Sequence, residues 1–217
     1  MRRTPLSAER IIHAAAAVAD KGGLGAVSMR NVGKELGVEA MSLYHHVRNK
    51  DALLDELAEW VFAQIELPEP GTHWRSALTV RCASLRAVLG RHPWSLGLVD
   101  SRGGPGQAQL RHHDAALGCL RGSGFSVPLA AHALSVLDSY VYGFVLTEQN
   151  LPFSEDEGPG DVVAEMALDA WPHLAELVEV QVSGRDYRYA DEFGWGLDLI
   201  LDGFAEKLVR QGAEPGL

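Results

Sequence analysis

The stretch "VSMRNVGKELGVEAMSLYHHVRNKDALL", Val27 to Leu54, can hold helix only in short lengths. Ser28 is a good N-cap for a run in which Met29, Val32 and Leu36 recur at helical spacing, and Gly37 supplies the residue that ends it. A second short helix fits between Glu39 and His46. With Val38 and Leu43 turned inward beside Met29, Val32 and Leu36, it leaves Ala40, Met41, Ser42, Tyr44 and His46 facing out or partly out. Asn49 then caps a longer amphipathic helix bearing Leu53, Leu54, Leu57, Val61, Phe62 and Ile65, which Pro68 and Pro70 stop. Upstream, Ser7 opens a helix with Ile11, Ile12, Ala15, Val18 and Ala19 on one face, closed by Gly22 and Gly23. Two short helices about a glycine turn, braced by one helix before and one behind, make a helix-turn-helix unit.

The charge distribution sets this head apart from the rest. The chain carries a formal net charge of −10, which taken alone argues against nucleic acid as a partner. Residues 1–50, however, hold eight Lys and Arg against four acids, a balance of +4, which leaves −14 for the remainder. A small basic head on a large acidic body suits one end to a polyanion and keeps the other off nonspecific anionic surfaces. The opening "MRRTPLSAER" lacks the apolar core of a signal peptide and no apolar run approaches the length of a membrane span, so a cytoplasmic protein with no membrane partner is expected. Cys82 and Cys119 are far apart and lack a C-x-x-C partner, which predicts reduced, buried thiols.

The remaining chain also reads as helix. Trp74, Leu78, Leu85, Val88 and Leu89 lie on a helix that His92-Pro93 interrupts. "SRGGPGQ" is a loop, and Leu110, Leu117 and Leu120 mark a helix closed by Gly122 and Gly124. The run "VPLAAHALSVLDSYVYGFVL" has an apolar surface too wide for one core-facing stripe, so something else must cover it. "LPFSEDEGPGD" predicts a mobile loop, Val162 to Val182 helical material broken near Pro172, and Asp191 to Arg210 a final amphipathic helix. Neither strand-like alternation nor an internal repeat is visible, and an all-α fold follows.

The Val27–Leu54 pattern resembles the DNA-binding signature of the tetracycline repressor family, several positions agreeing at fixed spacing. The resemblance extends more weakly through "HWRSALTVRCASLRAVLGRHP", "GFSVPLAAHALSVLDSYVYGFVLTEQ" and "GLDLILDGFAEKL", and so covers most of the chain. It implies an all-helical homodimer: a helix-turn-helix DNA-binding domain over residues 1–48, a connecting helix over 49–66, and a helical effector-binding and dimerisation domain over 67–217. Its partners would be double-stranded DNA carrying a palindromic operator and a small-molecule effector. The expected function is a transcriptional regulator, a repressor released by that effector. The alternative is an all-helical small-molecule-binding protein or enzyme whose basic head meets another acidic partner.

Carried over position by position, Arg30 matches the family's base-contacting arginine and suits guanine O6 and N7. Ser28 combines a cap with a phosphate contact. Ala40, Met41 and Ser42 lie where the recognition helix enters the groove, Ala40 or Met41 within reach of a thymine methyl, while Tyr44, His46 and Lys50 match further DNA contacts. The competing role for Arg30 is a salt bridge to Glu35 or another surface acid, and for Tyr44 a ring packed on the first helix.

In the tetracycline-binding members a histidine and an acid surround a magnesium ion, and an asparagine and a phenylalanine hold the drug. Alignment places Leu98, Thr147, Arg81 and Leu85 at those positions. A pocket without its chelating side chains has nothing to offer a divalent cation. Trp94, His112, Tyr140 and Phe144 lie on helices expected to surround the cavity, and Arg81 suits an anionic group. A mainly apolar or aromatic effector bound without metal is therefore expected. His92, His112, His113, His132 and Asp114 show no metal-ligand spacing, since the adjacent pair points to different faces of a helix. With no Walker A, G-x-S-x-G or H-E-x-x-H pattern, neither a cofactor nor an enzyme activity is expected.

Overall fold

The computed structural model describes residues 5–69, 71–101, 104–153, 158–164, 166–182 and 187–213. Its helices in chain order are α1 (Ala8–Gly22), α2 (Met29–Leu36), α3 (Ala40–Leu43), α4 (Lys50–Phe62), α5 (Trp74–Arg91), α6 (Ser95–Ser101), α7 (Gln107–Gly122), α8 (Val127–Gln149), α9 (Gly160–Ala164), α10 (Pro172–Leu177) and α11 (Tyr189–Ala213). A 3-10 turn, Leu24–Ala26, joins α1 to α2, and a π turn, Val178–Val182, extends α10. The fold is all-α, and the chain divides into two compact units, residues 1–142 and 143–217.

The head is assembled by caps and glycines where local chemistry puts them. The hydroxyl of Ser7 accepts from the Arg10 amide, that of Ser28 from the Asn31 amide at 3.2 Å, and the Asn49 side chain from the Ala52 amide at 2.8 Å. Gly37 ends α2 at φ 66°, a left-handed conformation that glycine adopts without cost, and its amide reaches back to the Gly33 and Lys34 carbonyls. The turn is possible only because Gly33 also lacks a side chain. A Cβ there would lie 2.9 Å from the Val38 carbonyl oxygen and 3.3 Å from the Ala40 amide nitrogen. α2 packs on α1 and α3, and α1 on α4. Ile11, Ala15, Val27, Val32, Leu43, Leu53 and Leu57 are fully buried at the centre.

Several expectations are corrected. α3 is one turn, Ala40–Leu43, followed by a turn at Tyr44–His46, rather than a helix reaching His46. Leu36 and Val38 are half-buried rather than core, because α2 ends before a partner covers them. Cys82 is buried and free, but Cys119 is only half-buried. The final helix starts earlier and ends later than Asp191–Arg210. Residues 154–157 of the predicted mobile loop lie outside the described residues.

The expectation that no apolar segment reaches span length also fails. α8, Val127–Gln149, is long and apolar enough by length and composition to cross a membrane. His132 and Asp138 divide the run when it is read as a string, whereas the helix joins its parts. Within α8, Ala130, Ala133, Leu134, Leu137, Val141, Phe144 and Val145 form a buried stripe at helical spacing, while Val127, Val136 and Leu146 stay exposed.

Substituting Gly33 tests the turn. Gly33→Ala gains helix propensity of about 1 kcal/mol but overpacks against backbone at a cost of about 1–3 kcal/mol, so a net destabilisation is expected. Gly90→Ala, on exposed α5 with open space at its Cβ, is expected to stabilise the chain by about 0.5–1 kcal/mol. Denaturant titration of both variants reads the difference, and equal shifts would remove the steric role of Gly33.

Candidate nucleic-acid interface and effector domain

Arg30 is exposed on the first turn of α2. The salt bridge to Glu35 that competes with a DNA role does not form: Glu35 holds Lys21 instead, at 2.8 Å. Met41 is 73% exposed on α3, an unusual place for a long apolar side chain unless a partner covers it. Tyr44 is 46% exposed, so its ring is not sunk into the core. His46 and Lys50 are exposed, while Ala40 and Ser42 are half-covered beside buried Leu43. Ser28 uses one oxygen lone pair on the Asn31 amide and keeps its O–H to donate. The Asn31 side chain donates to the Ala26 carbonyl at 2.8 Å and locks the entry to α2, a role the sequence reading did not assign.

Behind the head, α1 is fastened by a carboxylate. Asp20 accepts from the Trp94 indole N–H at 2.6 Å and lies 2.9 Å from Nδ1 of His92, two residues between α5 and α6. His92 also meets the Trp60 ring of α4 edge-on at 5.0 Å, and Trp60 meets His13 of α1 at 5.6 Å. Trp94 is thus occupied by a structural bond. Glu59 of α4 accepts from the Ala108 amide at 2.8 Å, placing a carboxylate at the N-terminus of α7.

The predicted effector residues fall into three groups. Arg81, Leu85, Leu98 and His112 are buried within the first unit. Tyr140 is half-buried on α8. Phe144 and Thr147 belong to the second unit, where Phe144 stacks on Tyr189 at 4.9 Å and meets Phe193 edge-on at 5.1 Å. Thr147 is exposed, its hydroxyl donating to the Gly143 carbonyl at 3.0 Å.

Four residues that the sequence did not place beside Arg81 complete its surroundings. Its Nη2 lies 2.8 Å from Oδ1 of Asp138, a charge contact without hydrogen-bond alignment, and His113 Nε2 lies 3.2 Å from the other carboxylate oxygen. Burial raises the Asp138 pKa, but the His113 hydrogen bond and the Arg81 charge outweigh it and hold the carboxyl below its ordinary range. The same bond raises His113, against a smaller effect of burial. Burial pushes the Cys82 thiol up to about 11 and the Tyr142 phenol up to about 12, so both stay protonated beside the ion pair. The available signal was a lone acid in the apolar run of α8.

His112, next in sequence to His113, has other neighbours. Burial and then the Arg81 charge lower its pKa, against a smaller raising effect of the Ile65 and Phe62 backbone close to the ring. Its Nδ1 is buried without a hydrogen-bond partner and can carry the lone pair of the neutral ring. Among the described residues, no three His, Cys, Asp or Glu side chains gather as a metal site.

This architecture, a helix-turn-helix with an exposed polar and aromatic face joined to a larger helical body, defines a DNA-binding transcriptional regulator. Residues 11–57 match the tetR family of bacterial regulatory proteins and residues 67–208 the tetracyclin repressor-like C-terminal domain. The chain belongs to the tetR family, whose members are regulators rather than enzymes, and its C-terminal part is the family's ligand-binding domain. It is 33% identical over 220 residues to the HTH-type transcriptional repressor DrrR1 of Streptomyces coeruleorubidus, covering 95% of this chain and 79% of that one. It is 32% identical over 217 residues to the class A tetracycline repressor protein from transposon 1721 of Escherichia coli, covering 97% and 96%. The crystal structure of the TetR family protein ActR of Streptomyces coelicolor in complex with (S)-DNPA superposes with a TM-score of 0.74 at 27% identity, covering 94% of this chain and 99% of that one.

The two adjacent histidines should shift stability in opposite directions with pH. His113, raised above 6.5, contributes stability that is complete below that value and is lost as pH rises through its folded pKa. His112, lowered below 6.5, is stably neutral above that value, and folding weakens as pH falls toward its folded pKa. His113→Gln is therefore expected to lose stability relative to wild type chiefly at the acid end, and His112→Gln chiefly at the neutral end. Urea titration from about pH 5 to about pH 8 checks this, and parallel curves for both variants would contradict it.

Proposed function

We propose that this chain is a repressor that binds a palindromic operator as a homodimer and leaves it when a small molecule occupies the helical body. The observation that carries the DNA assignment is the exposed set Arg30, Met41, Tyr44, His46 and Lys50 on one helix-turn-helix, with Arg30 uncommitted to Glu35. Arg30 reads a guanine, and Met41 with Ala40 covers a thymine methyl while half-buried Ser42 borders the groove. Ser28, Tyr44, His46 and Lys50 hold phosphates and set the register. Residues 1–48 serve as the reading head, 49–66 as the connecting helix and 67–217 as the effector and dimerisation part.

Dimerisation rests on apolar side chains that a single chain leaves in water. Val127, Val136 and Leu146 of α8 and Trp195, Leu199 and Val209 of α11 are all exposed, and pairing two copies about a two-fold axis would cover them twice over. The two heads then meet half-sites about one helical turn or slightly more apart. Small-molecule control is supported by the repressor relatives and by ActR, solved with (S)-DNPA. The effector is mainly apolar or aromatic and held without metal by Arg81, Leu85, Leu98 and His112. Tyr140 is a further contact, and Trp94 answers through Asp20. A regulator of this kind acts in the cytoplasm.

Operator binding is tested on the DNA upstream of the coding region. Arg30→Ala is expected to cost about 1–3 kcal/mol and relax preference at one base pair. Lys50→Ala should weaken all sequences alike and reduce the salt slope by about 1. Unchanged affinity and slope in both would remove this face from DNA reading, and a folded monomer at micromolar concentration in sedimentation would remove the dimer. Titration with tetracycline should give no magnesium-dependent quench of tryptophan fluorescence, since Leu98 and Thr147 stand where chelating side chains would be needed.

A further inference from the structure

Arg81 and His112 leave buried hydrogen-bonding atoms without partners in the apolar interior of the first unit. Each residue is only 4% exposed. Arg81 stands on α5 between Leu78 and Leu85, one turn to either side and both essentially fully buried. Its Nη2 faces Asp138, but Nε and Nη1 have no hydrogen-bond partner, and neither does Nδ1 of His112. Native interiors seldom leave buried polar atoms without partners, so two donors on Arg81 and one ring nitrogen on neighbouring His112 point to something that completes them.

The missing bonds are of two kinds. Arg81 offers only N–H donors and a permanent positive charge, whereas the unpartnered Nδ1 of His112, a ring that burial and the Arg81 charge favour in its neutral form, can accept a hydrogen bond. One molecule satisfies both by presenting an acceptor oxygen to the guanidinium and an O–H to the imidazole. Charge selects the acceptor. The single carboxylate of Asp138 is shared between Arg81 and His113, so with His113 protonated the cluster carries one positive charge in excess. A buried excess charge is costly until an anion balances it.

We infer that the effector is a hydroxylated organic acid whose ionised carboxyl is held by Arg81 and whose hydroxyl donates to Nδ1 of His112, its apolar body lying against α5. This deepens the reading that Arg81, Leu85, Leu98 and His112 hold the effector, and rests on it. His112 also gives the site its route outward. The ring that receives the hydroxyl lies close to the backbone of Phe62 and Ile65, and α4 packs on α1 of the reading head. An acid that bonds His112 better in the DNA-incompetent form shifts the protein off its operator by that difference in affinity.

The test uses the full chain and matched probes: salicylate, 3-hydroxy-2-naphthoate and a hydroxyanthraquinone carboxylate, their methyl esters, and 2-naphthoate, which lacks the hydroxyl. Binding is read by tryptophan fluorescence and release by mobility shift on the upstream DNA. At least one acid should bind about tenfold or more tighter than its ester, a preference that Arg81→Gln abolishes and Arg81→Lys partly keeps. His112→Phe should abolish the preference for 3-hydroxy-2-naphthoate over 2-naphthoate while leaving the acid-over-ester preference in place. The wild-type comparison needs no variant to fold. Esters that bind as tightly as acids, an acid preference surviving in a folded Arg81→Gln, or no acid binding below about 1 mM would each overturn the inference. Esters that release DNA as well as acids would overturn the acid while leaving the effector reading intact. Failure of the unliganded protein to bind any upstream DNA would instead remove the regulatory reading itself.

Discussion

Arg81 is a permanent cation placed inside a helical body that has little water to solvate it. The rest of that interior is organised around neutralising it. Asp138 reaches it from α8, His113 reaches Asp138 from α7, and the three helices are thereby tied through one carboxylate. The pair adds little net stability by itself, because desolvating two charges costs about as much as their attraction returns, but removing either partner would strand the other. Burial and then the same charge lower the pKa of His112 and favour its neutral ring. Side chains of α5, α7 and α8 are therefore linked electrostatically through a single arginine.

The connection between this interior and the reading head is made of directed bonds. At one end of α4, His112 lies close to the backbone of Phe62 and Ile65. Further along α4, Glu59 caps α7 at Ala108 and Trp60 meets His92 and His13 edge-on. Asp20 of α1 is then fixed by Trp94 and His92. Apolar packing tolerates small sliding, whereas hydrogen bonds of 2.6–2.9 Å lose most of their strength with small changes of distance or angle. A displacement of α4 therefore has to break or keep particular bonds, which makes two discrete arrangements of head and body a more natural outcome than a continuous drift.

The head itself separates stability from reading. Its core side chains are fully buried and its turn is held by backbone contacts at Gly33 and Gly37, so the residues facing outward carry little of the fold. Arg30, Tyr44, His46 and Lys50 are free to be chosen for their partner. The pairing of Lys21 with Glu35 contributes to this, since it occupies the acid that would otherwise compete for Arg30. Exposed Met41 fits the same division, as an apolar side chain that the core of the head does not use.

The head was legible in the sequence because its determinants are local. Ser7, Ser28 and Asn49 cap the helices that follow them, and Gly37 turns the chain within a few residues of the helices it joins. Helical periodicity identified Val32, Leu43, Leu53 and Leu57 as core and left the outward set by subtraction. The tertiary structure decided what depends on residues far apart in the chain. Asp138 partners Arg81, Asp20 partners Trp94 and His92, and His112 lies close to the backbone that ends α4. No periodicity encodes these contacts, because each requires two helices to have packed first. Gly33 shows the same limit at short range: in the sequence it is a weak residue inside a helix, and only the folded turn, with the Val38 carbonyl against its Cα, shows why a side chain has no room there.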